Sequence, residues 1–353
     1  MMNLQPVEQE TADAMTQMVI TKETVVVEPT AQSLPAPETE SFWQALVRWA
    51  RYAIGTFVSC VVLFYVVWPL LAPAPWSGSA SLVAHGWGLA LINTLVVALV
   101  VVVLLVICMW LTHPDFPHAG LLCVSLAFCV LAMKAGPMHT LLRVYQGRYS
   151  ILYHLLVGEC VLWAMIIAVA ELTSRMLFQR FFHNPRWASR AGLALPADLN
   201  QPHLLYSAPD ILFRLRDRPL GQNPTDRLAA NAAAFAITVV IGGLVANFFM
   251  RSELIGQVLF SCFVAFAIAA FFAAMFTPAA TALWIWLAVP ATAIVGYMLT
   301  GNQDVYPGHV PFPLARAMPL DYVSAGLAGA IIGYYTAVKL ELHQRADEQY
   351  PAA

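Results

Sequence analysis

The sequence predicts an all-α fold, a polytopic transmembrane helical bundle of about eight spans with both termini in the cytoplasm. Two observations predict it. Hydrophobic residues make up 60% of the 353 positions and charged residues only 11%, outside the range of soluble domains. Between Arg51 and Asp115, and again between Glu253 and Asp304, there is no Asp, Glu, Lys or Arg. A hydrocarbon core of about 30 Å needs about 20 apolar residues in helix, so each gap holds more than one crossing. Lipid offers no partner for backbone N–H and C=O groups, which leaves helices as the spanning elements. The formal charge of -2 gives no basic excess to attract nucleic acid.

Residues 1–40 carry seven acidic residues, one lysine and three prolines after position 28. Without a sustained apolar period they read as a disordered acidic cytoplasmic tail. From 41 to 51 the pattern changes. Phe42, Trp43, Leu46, Val47 and Trp49 oppose Gln44, Arg48 and Arg51, which predicts an interfacial amphipathic helix whose arginines face anionic lipid headgroups. No signal-peptide pattern precedes the first apolar stretch, so that stretch is expected to insert the chain.

The expected spans are Tyr52–Ala72, Gly88–Thr112, Ala119–Gly136 and Ile151–Leu172 in an N-terminal half (52–172), and Ala229–Met250, Leu254–Phe276, Ala279–Thr300 and Tyr322–Leu340 in a C-terminal half (229–340). A short cytoplasmic tail, 341–353, follows. The third and last spans are the shortest. With both ends inside, thirteen of the eighteen basic residues fall on the cytoplasmic side; Lys134, Arg143, Arg148, Arg251 and Arg316 remain outside. The positive-inside rule therefore favours an even span count; the expected placement is a bacterial-type inner membrane, multi-pass.

Between the halves, residues 173–228 hold eight arginines, four aspartates and six prolines. Proline at that density leaves no segment long enough for a core of its own. The segment reads either as a linker lying on anionic headgroups or as a dock for a cytoplasmic protein partner. Arg214, Arg216 and Arg218, alternating with apolar Ile211, Phe213 and Leu215, form the contact patch in the second case.

Two local matches sit at equivalent places in the halves. Val144-Tyr145-Gln146-Gly147 corresponds to Val305-Tyr306-Pro307-Gly308, and Glu171 to Arg175 corresponds to Glu341 to Arg345. A parallel 4+4 duplication and chance matching both produce such a pattern. The Glu171–Arg175 spacing has its own explanation as a helix-end ion pair. Small residues recur on one face of the sixth span (Ser261, Ala265, Ala269, Ala273) and of the eighth (Ala325, Gly329, Gly333, Ala337), as expected where helix backbones approach closely in lipid. Pro290 lies inside the seventh span and removes one helical hydrogen bond there.

An ionisable group at membrane depth is the strongest functional pointer in such a sequence, since leaving it unpaired costs about 2.5–3.5 kcal/mol. Glu159, well inside the fourth span, is the principal candidate. Lys134, Asn93 and Asn247 lie in the same outer half by the topology above, and His154 sits near Gly158 on the same span. Together they suggest a polar, outward-opening substrate or proton site. The alternative is that Glu159 pairs with Lys134 while the asparagines bond backbone carbonyls.

His113, Asp115 and His118 share one short turn, but their spacing matches no metal motif and Pro114 and Pro117 explain the turn, so no metal is assigned. All six cysteines fall in spans and read as small buried hydrophobes. No phosphate loop, zinc-protease helix or nucleophile elbow is present; the chain leans away from enzymes, and no cofactor is expected. These features point to a permease or carrier for a small polar or ionic solute, with a membrane scaffold or sensor as the alternative.

Overall fold

The computed structural model describes residues 42–71, 81–82, 87–112, 118–145, 147–182, 224–277, 281–301, 303 and 310–349. Those residues contain helices and connecting turns, with no strand. The chain divides into two units, Met1–Ala45 and Leu46–Ala353, and the second holds the bundle. The tail 1–40, most of the segment between the halves, the His113 to Pro117 turn and the Val305 to Gly308 match lie outside the described residues.

The elements are α1 (Phe42–Val62), α2 (Trp87–Thr112), α3 (Ala119–Ala135), the short α4 (Met138–Val144), α5 (Tyr149–Phe182), α6 (Pro224–Phe249), α7 (Ile255–Phe276), α8 (Ala282–Gly301) and α9 (Leu327–Gln349). Among the described residues, seven segments are long and apolar enough to cross a membrane: Leu46–Leu71, Leu89–Thr112, Tyr149–Ser174, Leu228–Phe249, Ile255–Phe276, Ala282–Gly301 and Pro319–Leu340. The protein is a multi-pass helical membrane protein. Helix α3, at 17 residues, is shorter, about 25 Å long at 1.5 Å per residue.

The first crossing extends further than the sequence suggests. The chain is helical without a break from Leu46 through Arg51, so the expected interfacial segment and the first span are one helix over that stretch. A π-helical turn at Leu63–Val67 follows, then a last turn, Trp68–Leu71. Pro69 lacks an N–H and its ring crowds the carbonyl four residues earlier; the wider π turn sits where that crowding must be absorbed. A second π turn, Tyr322–Gly326, lies in the last crossing, between the single turn Pro319–Asp321 and α9. Helix α8 continues through Pro290.

Helix α2 shows why hydropathy alone cannot orient a membrane helix. Its residues are apolar on every side, yet Ile92, Leu95, Leu99 and Val103 are exposed while Val97, Val101, Leu104 and Leu105 are buried. One face meets lipid and the other meets protein, with the same chemistry on both.

The tightest packing joins α7 to α9. A Cβ placed on Gly329 would fall 2.1 Å from the Phe263 carbonyl oxygen, and one on Gly333 would fall 2.0 Å from that of Ala267. Only glycine permits this backbone approach. It uses the small-residue face of the last crossing against the backbone of Phe263 and Ala267, while Ala269 on another side of α7 lies against Gly242 of α6. Lipid tails are as apolar as any side chain, so contact of this kind gains dispersion energy that apolar burial alone does not supply.

The ends of the helices are tied by polar contacts. Asn93 of α2 donates to the Leu70 carbonyl at 3.0 Å. Tyr297 of α8 donates to Ala317 O at 2.6 Å. The Arg316 guanidinium reaches Met250 O at 3.2 Å and Arg251 O at 2.5 Å, and His139 lies 3.8 Å from Glu253. At the opposite end, Asn231 of α6 accepts from the Thr281 N–H at 2.8 Å.

Candidate functional site

Helix α5 positions the candidate chemistry. It is 34 residues long, about 51 Å, and carries two fully buried carboxylates, Glu159 at 1% exposure and Glu171 at 0%. Twelve residues separate them, about 18 Å along the axis.

Glu159 accepts a hydrogen bond from the Ser81 hydroxyl through one carboxylate oxygen and from the Trp163 indole N–H at 3.3 Å through the other. Trp163 is one helical turn away, the spacing that stacks side chains on one face. Ser81 comes from the connection between α1 and α2. It is itself buried, and its N–H is held by Leu71 O at 3.0 Å. Ser81 thus places a hydroxyl from outside the helices against the acid.

The other sequence candidates are distributed rather than convergent. Lys134, exposed at the end of α3, places its ammonium 3.5 Å from the Phe64 ring centroid and 4.4 Å from that of Trp68. Its charge is answered by aromatic faces, and among the described residues it makes no ion pair with Glu159. Asn93 is committed to the Leu70 carbonyl. Asn247 is exposed near the end of α6. His154 is exposed, and its Nδ1 donates to Ser150 O, one turn back, at 2.6 Å. Arg214, Arg216 and Arg218 lie outside the described residues.

A second polar centre surrounds Glu171, and the sequence gives no warning of it. His118, just before α3, places Nε2 2.7 Å from Glu171 Oε1 and Nδ1 2.5 Å from the Tyr335 hydroxyl of α9. The Trp286 indole of α8 donates to Glu171 Oε2 at 3.2 Å and meets the His118 ring edge to face, centroids 5.7 Å apart. Tyr334 packs on Trp286 in the same manner at 5.6 Å. Glu171, His118 and Trp286 are each 0% exposed; Tyr335 alone is half-buried. Four elements converge here, and both carboxylate oxygens receive a donor, as burial of a charge requires.

Between the two carboxylates lies a small void lined mainly by apolar groups, among them Phe128 of α3, Trp163, Ile166 and Ile167 of α5, and Val323 and Leu327 of the last crossing. A third buried acid, Asp321, is 2% exposed. One of its oxygens accepts the Met318 N–H at 2.7 Å and the other has no hydrogen-bond partner. By sequence it falls just outside the expected eighth span; here it lies within the last crossing.

The cysteines are free thiols. Cys108 is bonded to Ser59 at 3.1 Å and packs with Cys123 beneath Gly55. Among the described residues no group of three His, Cys, Asp or Glu side chains is placed to hold a metal ion.

No protein-family model matches the chain, and no curated protein or solved structure matches it.

Proposed function

We propose that this protein is a permease or carrier for a small polar or ionic solute, with Glu159 as the membrane-embedded carboxylate that exchanges a proton during transport. The observation that carries this reading is the Glu159 environment. A carboxylate 1% exposed in a membrane helix meets the Ser81 hydroxyl and the Trp163 indole N–H. The hydroxyl donates to the ionised acid and can turn to accept from the protonated one, so both protonation states find a partner there. Ser81 lies between the first two apolar spans rather than within one, so the acid is held partly by a group outside the spanning helices.

In this reading the chain crosses the membrane eight times, α3 included, with both termini cytoplasmic. Support comes from the contacts at the two ends of α3. Its first end meets Glu171 and Tyr335, which lie toward the C-terminal ends of the crossings Tyr149–Ser174 and Pro319–Leu340. Its last residues meet Phe64 and Trp68, at the C-terminal end of the first crossing. Alternating up-and-down helices bring those ends together. Glu159 and Ser81 then belong to the outer half and Glu171 to the cytoplasmic half.

The test is proton entry into proteoliposomes, followed by an internal pH dye while a panel of small polar and ionic solutes is added outside. Solute-dependent entry in the native protein and its loss in Glu159→Gln are expected, with insertion unchanged. Entry that survives the substitution would remove the carrier reading.

The scaffold or sensor reading is favoured by one observation, the near-complete sealing of Glu159. Deleting residues 183–223 separates the two. A carrier keeps solute-dependent proton entry, whereas a scaffold loses a cytoplasmic partner recovered by cross-linking.

A further inference from the structure

A carrier coupled to protons at one end of α5 must also release them at the other, and the second buried centre lies there. We infer that His118, Glu171 and Tyr335 form a proton-exchange site at the cytoplasmic end of the bundle; the inference rests on the carrier reading for its direction but not for its chemistry.

The chemistry follows from the donor and acceptor inventory. Glu171 as a carboxylate only accepts, and Oε2 is occupied by the Trp286 N–H at 3.2 Å. Oε1, 2.7 Å from His118 Nε2, therefore requires hydrogen on Nε2. That assignment leaves Nδ1 as the variable position. In the neutral ring, Nδ1 is a lone pair accepting the Tyr335 O–H. When a proton is added, Nδ1–H donates to the Tyr335 oxygen, and the hydroxyl hydrogen turns away to another acceptor. No covalent bond between heavy atoms changes. One proton enters, the ring becomes an imidazolium beside a carboxylate, and its departure restores the starting state.

Exposure gives this proton a route. His118, Glu171 and Trp286 are sealed, whereas Tyr335 is half-buried on α9, so its phenol is the link between the ring and the outside of the bundle. Among the described residues, the groups facing the imidazole are Glu171 from α5, Tyr335 from α9 and the uncharged Trp286 from α8. Tyr334 is one contact further, against Trp286, and α2 ends at Thr112, whose hydroxyl is committed to Cys108 O at 2.8 Å. Among the described residues the carboxylate next to the ring is that of Glu171. Because the ring belongs to α3, the carboxylate to α5 and the phenol to α9, protonation alters a contact among three helices.

Two measurements on the full chain in nanodiscs test this. Proton uptake on a step from about pH 8 to about pH 5, the window in which histidine changes charge, should exceed that of His118→Gln by about one proton per chain. In Tyr335→Phe the same proton should enter more slowly, since the ring remains and its link is cut. Equal uptake by the native protein and His118→Gln would overturn the inference. If that variant does not fold, the ¹⁵N resonances of the native His118 ring decide. A ring that becomes cationic across the step supports the site, and one that stays neutral overturns it. Glu159→Gln provides the separation from the carrier reading: it should abolish solute-dependent proton entry yet retain the His118 proton. Retained uptake with unchanged transport would sink the carrier and leave the exchange site standing.

Discussion

Glu159 and Glu171 lie on one helix, are equally buried and each accept an indole N–H, yet they are built differently. Glu159 is answered by its own helix and by a connecting segment, through Trp163 and Ser81. Glu171 is answered by groups belonging to three other elements, His118, Trp286 and, through His118, Tyr335. The described contacts of the first involve one helix and one residue between the spans, and those of the second involve four elements, so the difference separates an acid held locally from one that also ties the bundle together.

The comparison is most easily broken at Glu171. Glu171→Ala leaves the His118 and Trp286 donors facing a gap in the core and should cost about 3 kcal/mol, read as a lowered unfolding midpoint in detergent. A cost below about 1 kcal/mol would mean the cluster does not join the helices. Substitution by glutamine sharpens the contrast. At position 159 the Ser81 hydroxyl can reverse and accept from the new amide, so Glu159→Gln should change stability by less than about 1 kcal/mol. At position 171 the indole can only donate and the His118 ring must change tautomer, with the Tyr335 hydroxyl turning, before Nε2 can accept from the new amide, so Glu171→Gln should cost more, about 2 kcal/mol.

Ser81→Ala removes one donor from Glu159 and should cost about 1 kcal/mol while raising the rate at which the acid exchanges with solvent. A slower rate would count against Ser81 as a group that holds the acid. The smallest effect is expected for Lys134→Met, which keeps an unbranched chain near Phe64 and Trp68 and forfeits only an exposed cation–π contact of about 0.5–1 kcal/mol. A larger loss accompanied by altered Glu159 chemistry would restore the Glu159–Lys134 pairing that the ring contacts replace.

The spans were legible because charge-free stretches as long as Arg51 to Asp115 have no soluble explanation, and the last crossing announced its packing through Gly329 and Gly333. Glu159 was legible for the same reason, a charge standing inside an apolar run. Its partner was not, since Ser81 sits in a connection without hydropathic period. The Glu171 centre was hidden by distance along the chain: its contacts join residues 53, 115 and 217 positions apart, and no local pattern relates them. Locally, Glu171 suggested an ion pair with Arg175, and His118 suggested one end of a turn with His113 and Asp115. Helix α2 shows the complementary limit, where apolar residues on every face conceal which of them meet protein.

The central proposal is that Glu159 exchanges a proton with the exterior. Infrared difference spectra of oriented proteoliposomes, recorded on a step in external pH with the internal pH clamped, test it most directly. The account predicts a protonated-carboxyl C=O band that appears on external acidification and is lost in Glu159→Gln. A spectrum in which that substitution removes no band, or a band that responds only to internal pH, would contradict it.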